Sequence, residues 1–537
     1  MIRSAAAATA LLLCTSAAPA PSSADKALAA ATAANLCSTG EGTAKTADVR
    51  GPMVLVPGLT PAHLPVSANT QAQAFFDQGL GQLWGFDYDE AQESFREARR
   101  RDPGCAMCLW GEALAMGPYV NSGPIDPAII ARAQTLTAQV LAAPTLPEKH
   151  RALAEALHAR YAPGGTKDNV HGDAFADAMT ALAARWPDDD TLAIMAAEAI
   201  MTSQPWDYWE AGGKQPKARA GTALSLVDTV LARTPDHPQA IHLLIHLTEA
   251  SANPARAAGP AARLGSIAPG APHMVHMPSH TWYRIGQFDR AIAANKAAIA
   301  ADEAYARAVG ADPQFYGYFN HHTHFLASAA VQIGDKETAL AAAAGLEAAI
   351  NPARVAQSPW LEMRLVTALH TRAHFLGPTE ILALPRPDKR LRRLTIAWHG
   401  MRAEALALSG NPDGAEGELK ALRQARDALG QPSTRRGRRG GGDMQFAAIA
   451  DAVARGRIAT ARGDAAGALR AYAAAEAIEA NLPYAEPPLW PLPISVLSGQ
   501  LRAAQGDRAG AAADFRRALA QRPGLRIANE GLAANAA

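Results

Sequence analysis

Small, aromatic and proline residues recur along this chain at fixed intervals. Gly79, Ala91, Phe95, Ala98 and Pro103 are separated by 12, 4, 3 and 5 residues, and Gly499, Ala511, Phe515, Ala518 and Pro523 repeat those intervals. Gly410 with Ala415 and Gly463 with Ala468 mark further copies, and Ala257 and Ala291 lie 34 residues apart. Periods of this length mean a repeat array. Small residues let two antiparallel helices approach closely, an aromatic ring fills the hole between them, and proline punctuates the turn before the next pair. A single pair cannot bury its apolar face, so pairs stack into a superhelix. The pattern predicts an all-α solenoid.

The frame is similar to that of the tetratricopeptide repeat (TPR) family, with one copy starting at Ala72. The resemblance implies that the first helix of each pair lines a concave surface. There, repeat positions 2, 5, 9, 12 and 13 are the usual ligand contacts. Ala257 and Ala291 place central repeats at Pro238 and Pro272, and Gly334 with Ala339 places another at Asn320. An insertion rich in Phe and Tyr (Phe315, Tyr316, Tyr318) precedes that last start.

The frame changes how the histidines read. They concentrate in Ile241-His-Leu-Leu-Ile-His-Leu-Thr-Glu249, His273-Met-Val-His-Met-Pro-Ser-His280 and Asn320-His-His-Thr-His324. His242, His246 and Glu249 take positions 5, 9 and 12. His273, His276, His280 and Arg284 take positions 2, 5, 9 and 13, and His321 and His324 take positions 2 and 5. His322 takes position 3 and is expected to point elsewhere. Residues three or four apart share a helix face, and packed helices lie roughly 8 to 10 Å apart. Imidazoles from neighbouring repeats can therefore meet around a metal, for which they are the commonest protein ligand. The expected ligands are His242, His246, His273, His276, His280, His321 and His324. Glu249 is the expected general base or imidazole acceptor, and Arg284 the expected anchor for a substrate anion. Pro278 should break its helix and re-aim His276 and His280. His370 and His374 form another i,i+4 pair, read as structural.

Many nitrogens and few carboxylates argue against Ca²⁺ and Mg²⁺ and suit copper, iron or zinc. The expectation is a metal-dependent enzyme in the concave groove, a copper or iron oxidoreductase acting on small substrates, aromatic ones included. Two other readings stand beside it. One is a scaffold binding a peptide or protein partner in the same groove. The other is a zinc-dependent hydrolase or metal-delivery protein.

Composition narrows the partners. Lys+Arg 51 against Asp+Glu 50 gives a net charge of +1, so no basic field recruits nucleic acid. The 537 residues exceed one compact core. Arg3, the apolar Ala5 to Leu13 stretch and the small residues to Ala24 read as a signal peptide over 1–24, which implies an exported, periplasmic protein. No other apolar run approaches the roughly 20 residues of a membrane span. An extended leader over 25–70 is expected next, then helical repeats over 71–203, the histidine-rich repeats over 204–356 and more repeats over 357–432. A flexible basic loop follows over 433–443, and C-terminal repeats over 444–537. Of the mature cysteines Cys37, Cys105 and Cys108, the Cys105-x-x-Cys108 pair is expected to be a disulfide or otherwise structural.

Cys105-Ala-Met-Cys-Leu-Trp-Gly-Glu-Ala113, His276-Met-Pro-Ser-His280 and Asn320-His-His-Thr-His-Phe-Leu326 resemble a group of exported bacterial TPR proteins with histidine-rich central repeats. That resemblance covers most of the chain and implies fold and export. The group often reads Gly-Pro-Asn-Ile-Asn where this chain has Gly117-Pro-Tyr-Val-Asn121.

Overall fold

A computed structural model describes residues 53–535, apart from 123–124, 165–169, 314–317, 356–360, 430–440 and 483. The proposed signal peptide, Cys37, most of the leader, most of the basic loop, Phe315 and Tyr316 lie outside the described residues. Among the described residues the structure is helical, with a single isolated β-bridge between Trp209 and Pro216. The first stretch comprises α1 (Thr70–Trp84), α2 (Tyr88–Arg101), α3 (Ala106–Ala115), α4 (Pro127–Leu141), α5 (Glu148–Arg160), α6 (Gly172–Arg185), α7 (Asp190–Ser203) and α8 (Ala220–Arg233). The central stretch comprises α9 (Pro238–Glu249), α10 (Ala258–Ile267), α11 (Pro272–His276), α12 (Pro278–Arg284), α13 (Phe288–Val309), α14 (Phe319–Ile333) and α15 (Lys336–Ala349). The last comprises α16 (Pro352–Val355), α17 (Leu361–Phe375), α18 (Pro378–Leu382), α19 (Arg392–Leu408), α20 (Pro412–Leu429), α21 (Gly441–Ala461), α22 (Ala465–Glu479), α23 (Ser495–Ala504), α24 (Arg508–Gln521) and α25 (Arg526–Asn535).

The repeat logic is visible in atoms. A Cβ on Gly79 of α1 would lie 2.8 Å from the Phe95 ring, and one on Gly499 of α23 would lie 2.9 Å from Phe515. The small residues are the sockets for those rings. The hairpin turn is a Gly-Asp pair. Gly334, Gly463 and Gly506 have φ of 68°, 76° and 79°, a region that favours residues without a Cβ. The following Asp335, Asp464 and Asp507 then cap the next helix by accepting from the backbone N–H of Thr338, Gly467 and Gly510.

Segments from both flanks pack over the central repeats. Gln82 on α1 donates to the Tyr305 hydroxyl on α13, and Asn121 donates to the Tyr318 hydroxyl. Gly270 N–H donates to Gly58 O, Gln332 to Pro491 O, and the Tyr484 hydroxyl to Glu249. One continuous apolar core runs from Leu64 to Ala342, and a second, around Trp398, Phe446 and Trp490, supports the later repeats. The concave face of the central repeats is therefore an interior.

Candidate metal centre

Helices α9, α11, α12 and α14 present the site. Pro238 and Pro272 stand at the first turn of α9 and α11, where a missing N–H costs nothing. Pro278 splits the histidine helix as expected, so α11 ends at His276 and α12 carries His280. All seven sequence-derived histidine ligands are at most 4% exposed.

Six of them form two triads. His242, His246 and His273 bring one ring nitrogen each to within 4.8 Å of one another, and His276, His280 and His321 do the same. The triads adjoin: the His246 and His280 ring centres are 6.0 Å apart, and those of His273 and His276 are 5.9 Å apart. His324 is not brought to either triad, and its Nε2 meets Thr367 Oγ1 at 2.9 Å.

Glu249 joins the two groups. Its Oε1 lies 2.8 Å from His246 Nδ1 and its Oε2 lies 2.7 Å from His280 Nδ1. A carboxylate accepts, so both imidazoles carry their proton on Nδ1 and leave the Nε2 lone pair free to face inward. His242 is set the same way, with Nδ1 2.8 Å from Trp84 O and 3.0 Å from Gln239 Oε1. His276 Nδ1 lies 2.7 Å from Asn295 Oδ1, and its Nε2 faces His280 Nε2 at 2.9 Å.

Four of the six triad histidines hold orphan ring nitrogens. His242 Nε2, His246 Nε2 and both ring nitrogens of His273 and His321 are buried without a hydrogen-bond partner. A buried polar atom left unsatisfied costs about 1–3 kcal/mol, so this concentration is an unpaid demand for a ligand. Burial, followed by mutual repulsion among the imidazoles, holds His242, His273, His276 and His321 well below the usual histidine range. They are neutral near pH 7, the state in which imidazole binds metal. Burial alone would raise Glu249, but the adjoining His280 and His246, through electrostatic attraction and hydrogen bonds, outweigh it and bring the carboxyl to about 2.

Besides His324, two sequence-derived expectations differ in the structure. His322 does not point away. It is fully buried, its Nδ1 is 2.6 Å from Asp302 Oδ2, its ring centre is 4.6 Å from that of His276, and its Nε2 is unpaired. The long α13 brings Asp302 alongside α14 and turns this ring inward, which the repeat frame alone does not encode. Arg284 is already engaged. Its Nε donates to Glu249 O at 2.7 Å and its guanidinium lies 5.6 Å from the Tyr484 ring centre. It therefore ties down the C-terminal carbonyl end of α9, where a cation is favourable. His370 packs between Phe446 and Trp490 in the second core, as a structural histidine should. Cys105 and Cys108 form a disulfide.

Two aromatic residues in strained backbone cover the first triad. Phe86 (φ 57°) sits 4.4 Å from the His242 ring, and Trp206 (φ 63°) meets His246 edge-on at 5.3 Å. Left-handed backbone at a bulky residue costs about 1–3 kcal/mol and tends to be retained at functional sites. Tyr318 stacks on His273 at 4.1 Å.

No family model and no curated protein sequence matches the chain. Solved structures that align with it include the human IFIT1 dimer with m7Gppp-AAAA, at 12% identity over 88% of this chain and 91% of that one, with a TM-score of 0.34. Yeast Tom70 aligns at 12% identity over 87% of this chain and 96% of that one, with a TM-score of 0.23. The P58(IPK) TPR domain aligns at 11% identity over 86% and 97%, with a TM-score of 0.20. Likeness at this level has no bearing on what the histidines hold. By its own helix pairs, sockets and turns, the chain is a TPR-type α-solenoid enclosing two adjoining histidine triads.

Proposed function

We propose that the protein holds two transition-metal ions, one in each triad, and is a dicopper oxidoreductase that oxidises small organic substrates with dioxygen as the electron acceptor. The observation that carries this reading is the convergence of six buried imidazoles in two groups of three, four of which (His242, His246, His273 and His321) hold ring nitrogens without a hydrogen-bond partner. A metal ion in each triad would give one nitrogen of each of these imidazoles a partner, and an imidazole-only donor set suits copper, zinc or iron. Copper is preferred because both Glu249 oxygens are occupied by imidazole N–H groups. This removes Glu249 as the general base that a zinc hydrolase reading assigned to it. Two adjoining one-electron ions can together accept the two electrons that an organic substrate gives up. Glu249 is then a positioning residue rather than a general base. The apolar Ala5 to Leu13 stretch and the Cys105–Cys108 disulfide support an exported, oxidising location.

The test is elemental analysis of untagged protein after anaerobic reconstitution with copper, iron and zinc in turn. Two copper ions per chain are expected, falling to one in His242→Ala and in His321→Ala. Failure to retain any metal through gel filtration overturns the reading. Two zinc ions retained in preference to copper would overturn the redox assignment.

A further inference from the structure

Asn295 lies on α13, outside the three histidine stretches, and is fully buried. Its Oδ1 stands 2.7 Å from His276 Nδ1, and its Nδ2 donates to Ala291 O at 2.8 Å. The second contact settles the first. A backbone carbonyl only accepts, so the amide turns its NH₂ towards Ala291 and its oxygen towards the imidazole. That oxygen also only accepts, so His276 carries its proton on Nδ1.

The other neighbours of His276 favour the opposite tautomer. With Nδ1 protonated, its Nε2 is a bare lone pair 2.9 Å from His280 Nε2. His280 donates through Nδ1 to Glu249 Oε2, so in the neutral pair its Nε2 is bare as well. Two lone pairs at hydrogen-bonding distance repel. Moving the His276 proton to Nε2 would relieve them, because Nε2–H would donate to His280. Ser279 Oγ, 3.3 Å from His276 Nδ1, would then donate to the nitrogen left bare. That tautomer satisfies itself and ties up a nitrogen on each of two imidazoles of the second triad. Asn295 is the group that opposes it.

We infer that Asn295 is the positioning residue of the second triad: it holds the His276 proton on Nδ1 and so keeps Nε2 open for a metal ion. A ligating imidazole normally donates its other N–H to an outer acceptor, which fixes the ring and its tautomer. Here the acceptor also excludes a competing hydrogen bond inside the site. The role in metal binding rests on the proposed dicopper centre, whereas the tautomer is a property of the metal-free chain.

The experiment is nitrogen-15 NMR of the metal-free, histidine-labelled protein, with the His276 signals assigned by their loss in His276→Gln. Protonated and bare ring nitrogens differ in chemical shift. Nδ1–H is expected in the parent protein and in Asn295→Asp, whose side chain offers His276 an acceptor whether ionised or protonated. Nε2–H is expected in Asn295→Leu. In anaerobic copper(I) titration the second site of Asn295→Leu should weaken by about 10- to 100-fold, the range for loss of an outer partner of a ligating histidine. The first site should not change, and Asn295→Asp should restore the second. Nε2–H in the parent protein, or Nδ1–H retained in a folded Asn295→Leu, would overturn the assignment, and the first of these needs no variant to fold. A switched tautomer with undiminished copper affinity at the second site would overturn its link to the metal. A switched tautomer in a chain whose parent retains no copper would support the tautomer role and overturn the dicopper reading alone.

Discussion

Replacing Glu249 with Gln perturbs the proposed metal centre at its point of greatest leverage. The carboxylate accepts from His246 Nδ1 at 2.8 Å and from His280 Nδ1 at 2.7 Å, one imidazole in each triad. An amide keeps the shape but turns one acceptor into a donor. Whichever way it lies, one Nδ1–H then faces an N–H. That imidazole must either lose its hydrogen bond or move its proton to Nε2, the nitrogen its triad uses. A hydrogen bond to a charged group is worth about 1.5–3 kcal/mol, and about 1.4 kcal/mol is tenfold in affinity. One of the two metal sites should therefore weaken by about 10- to 100-fold, which is the range for loss of an outer partner of a ligating histidine. The other site keeps its acceptor and should change far less. Anaerobic copper(I) titration against a chromophoric chelator would resolve the two steps, with far-UV circular dichroism as the check on fold. Two sites within about twofold of the parent protein, in a folded Glu249→Gln, would refute the reasoning.

Two other predictions concern the scaffold. Gly79→Val drives a side chain into the Phe95 ring and should cost about 1–3 kcal/mol by overpacking, read as a lower urea midpoint. An unchanged midpoint would mean that the socket is not tight. Glu479, whose Oε2 accepts from Ile494 N–H at 3.1 Å, is pushed up to about 7 by burial. Its folded value lies above its unfolded one, so its contribution to stability is fully present below about pH 4.5 and is lost as pH rises through about 7. The loss is at most about 3 kcal/mol. Thermal melting at pH 5 and pH 8 should therefore diverge more for the parent protein than for Glu479→Gln. Equal divergence would show that the carboxyl is not the titrating group.

The sequence carried the scaffold well because its signals are local. Repeat starts at Pro238 and Pro272 coincide with the first residues of α9 and α11, and Pro278 ends one helix and opens another. Six of the seven candidate ligands fall into two triads because position within a repeat dictates the face. Less legible were the features that depend on distant segments. His322 is turned inward by Asp302, a partner on another helix. Arg284 is engaged by the carbonyl of Glu249, a contact that its repeat position does not reveal. The covering residues Phe86 and Trp206 occupy connections whose left-handed backbone no repeat frame anticipates. The open groove expected of a solenoid became an interior for the same reason, since only the winding of the whole superhelix brings α1 and the 484–491 segment over it.

That closure alters how the molecule must be assembled. In ordinary repeat arrays each unit touches only its neighbours, so stability accumulates unit by unit. Here the hydroxyl of Tyr484 reaches Glu249 from 235 positions along the chain, and Gln82 reaches Tyr305 across 223. Such contacts are slow to form because large loops must close first. The centre is complete only after the last repeats have docked. Any ion it takes up must enter late in folding or through a partial reopening of that seam.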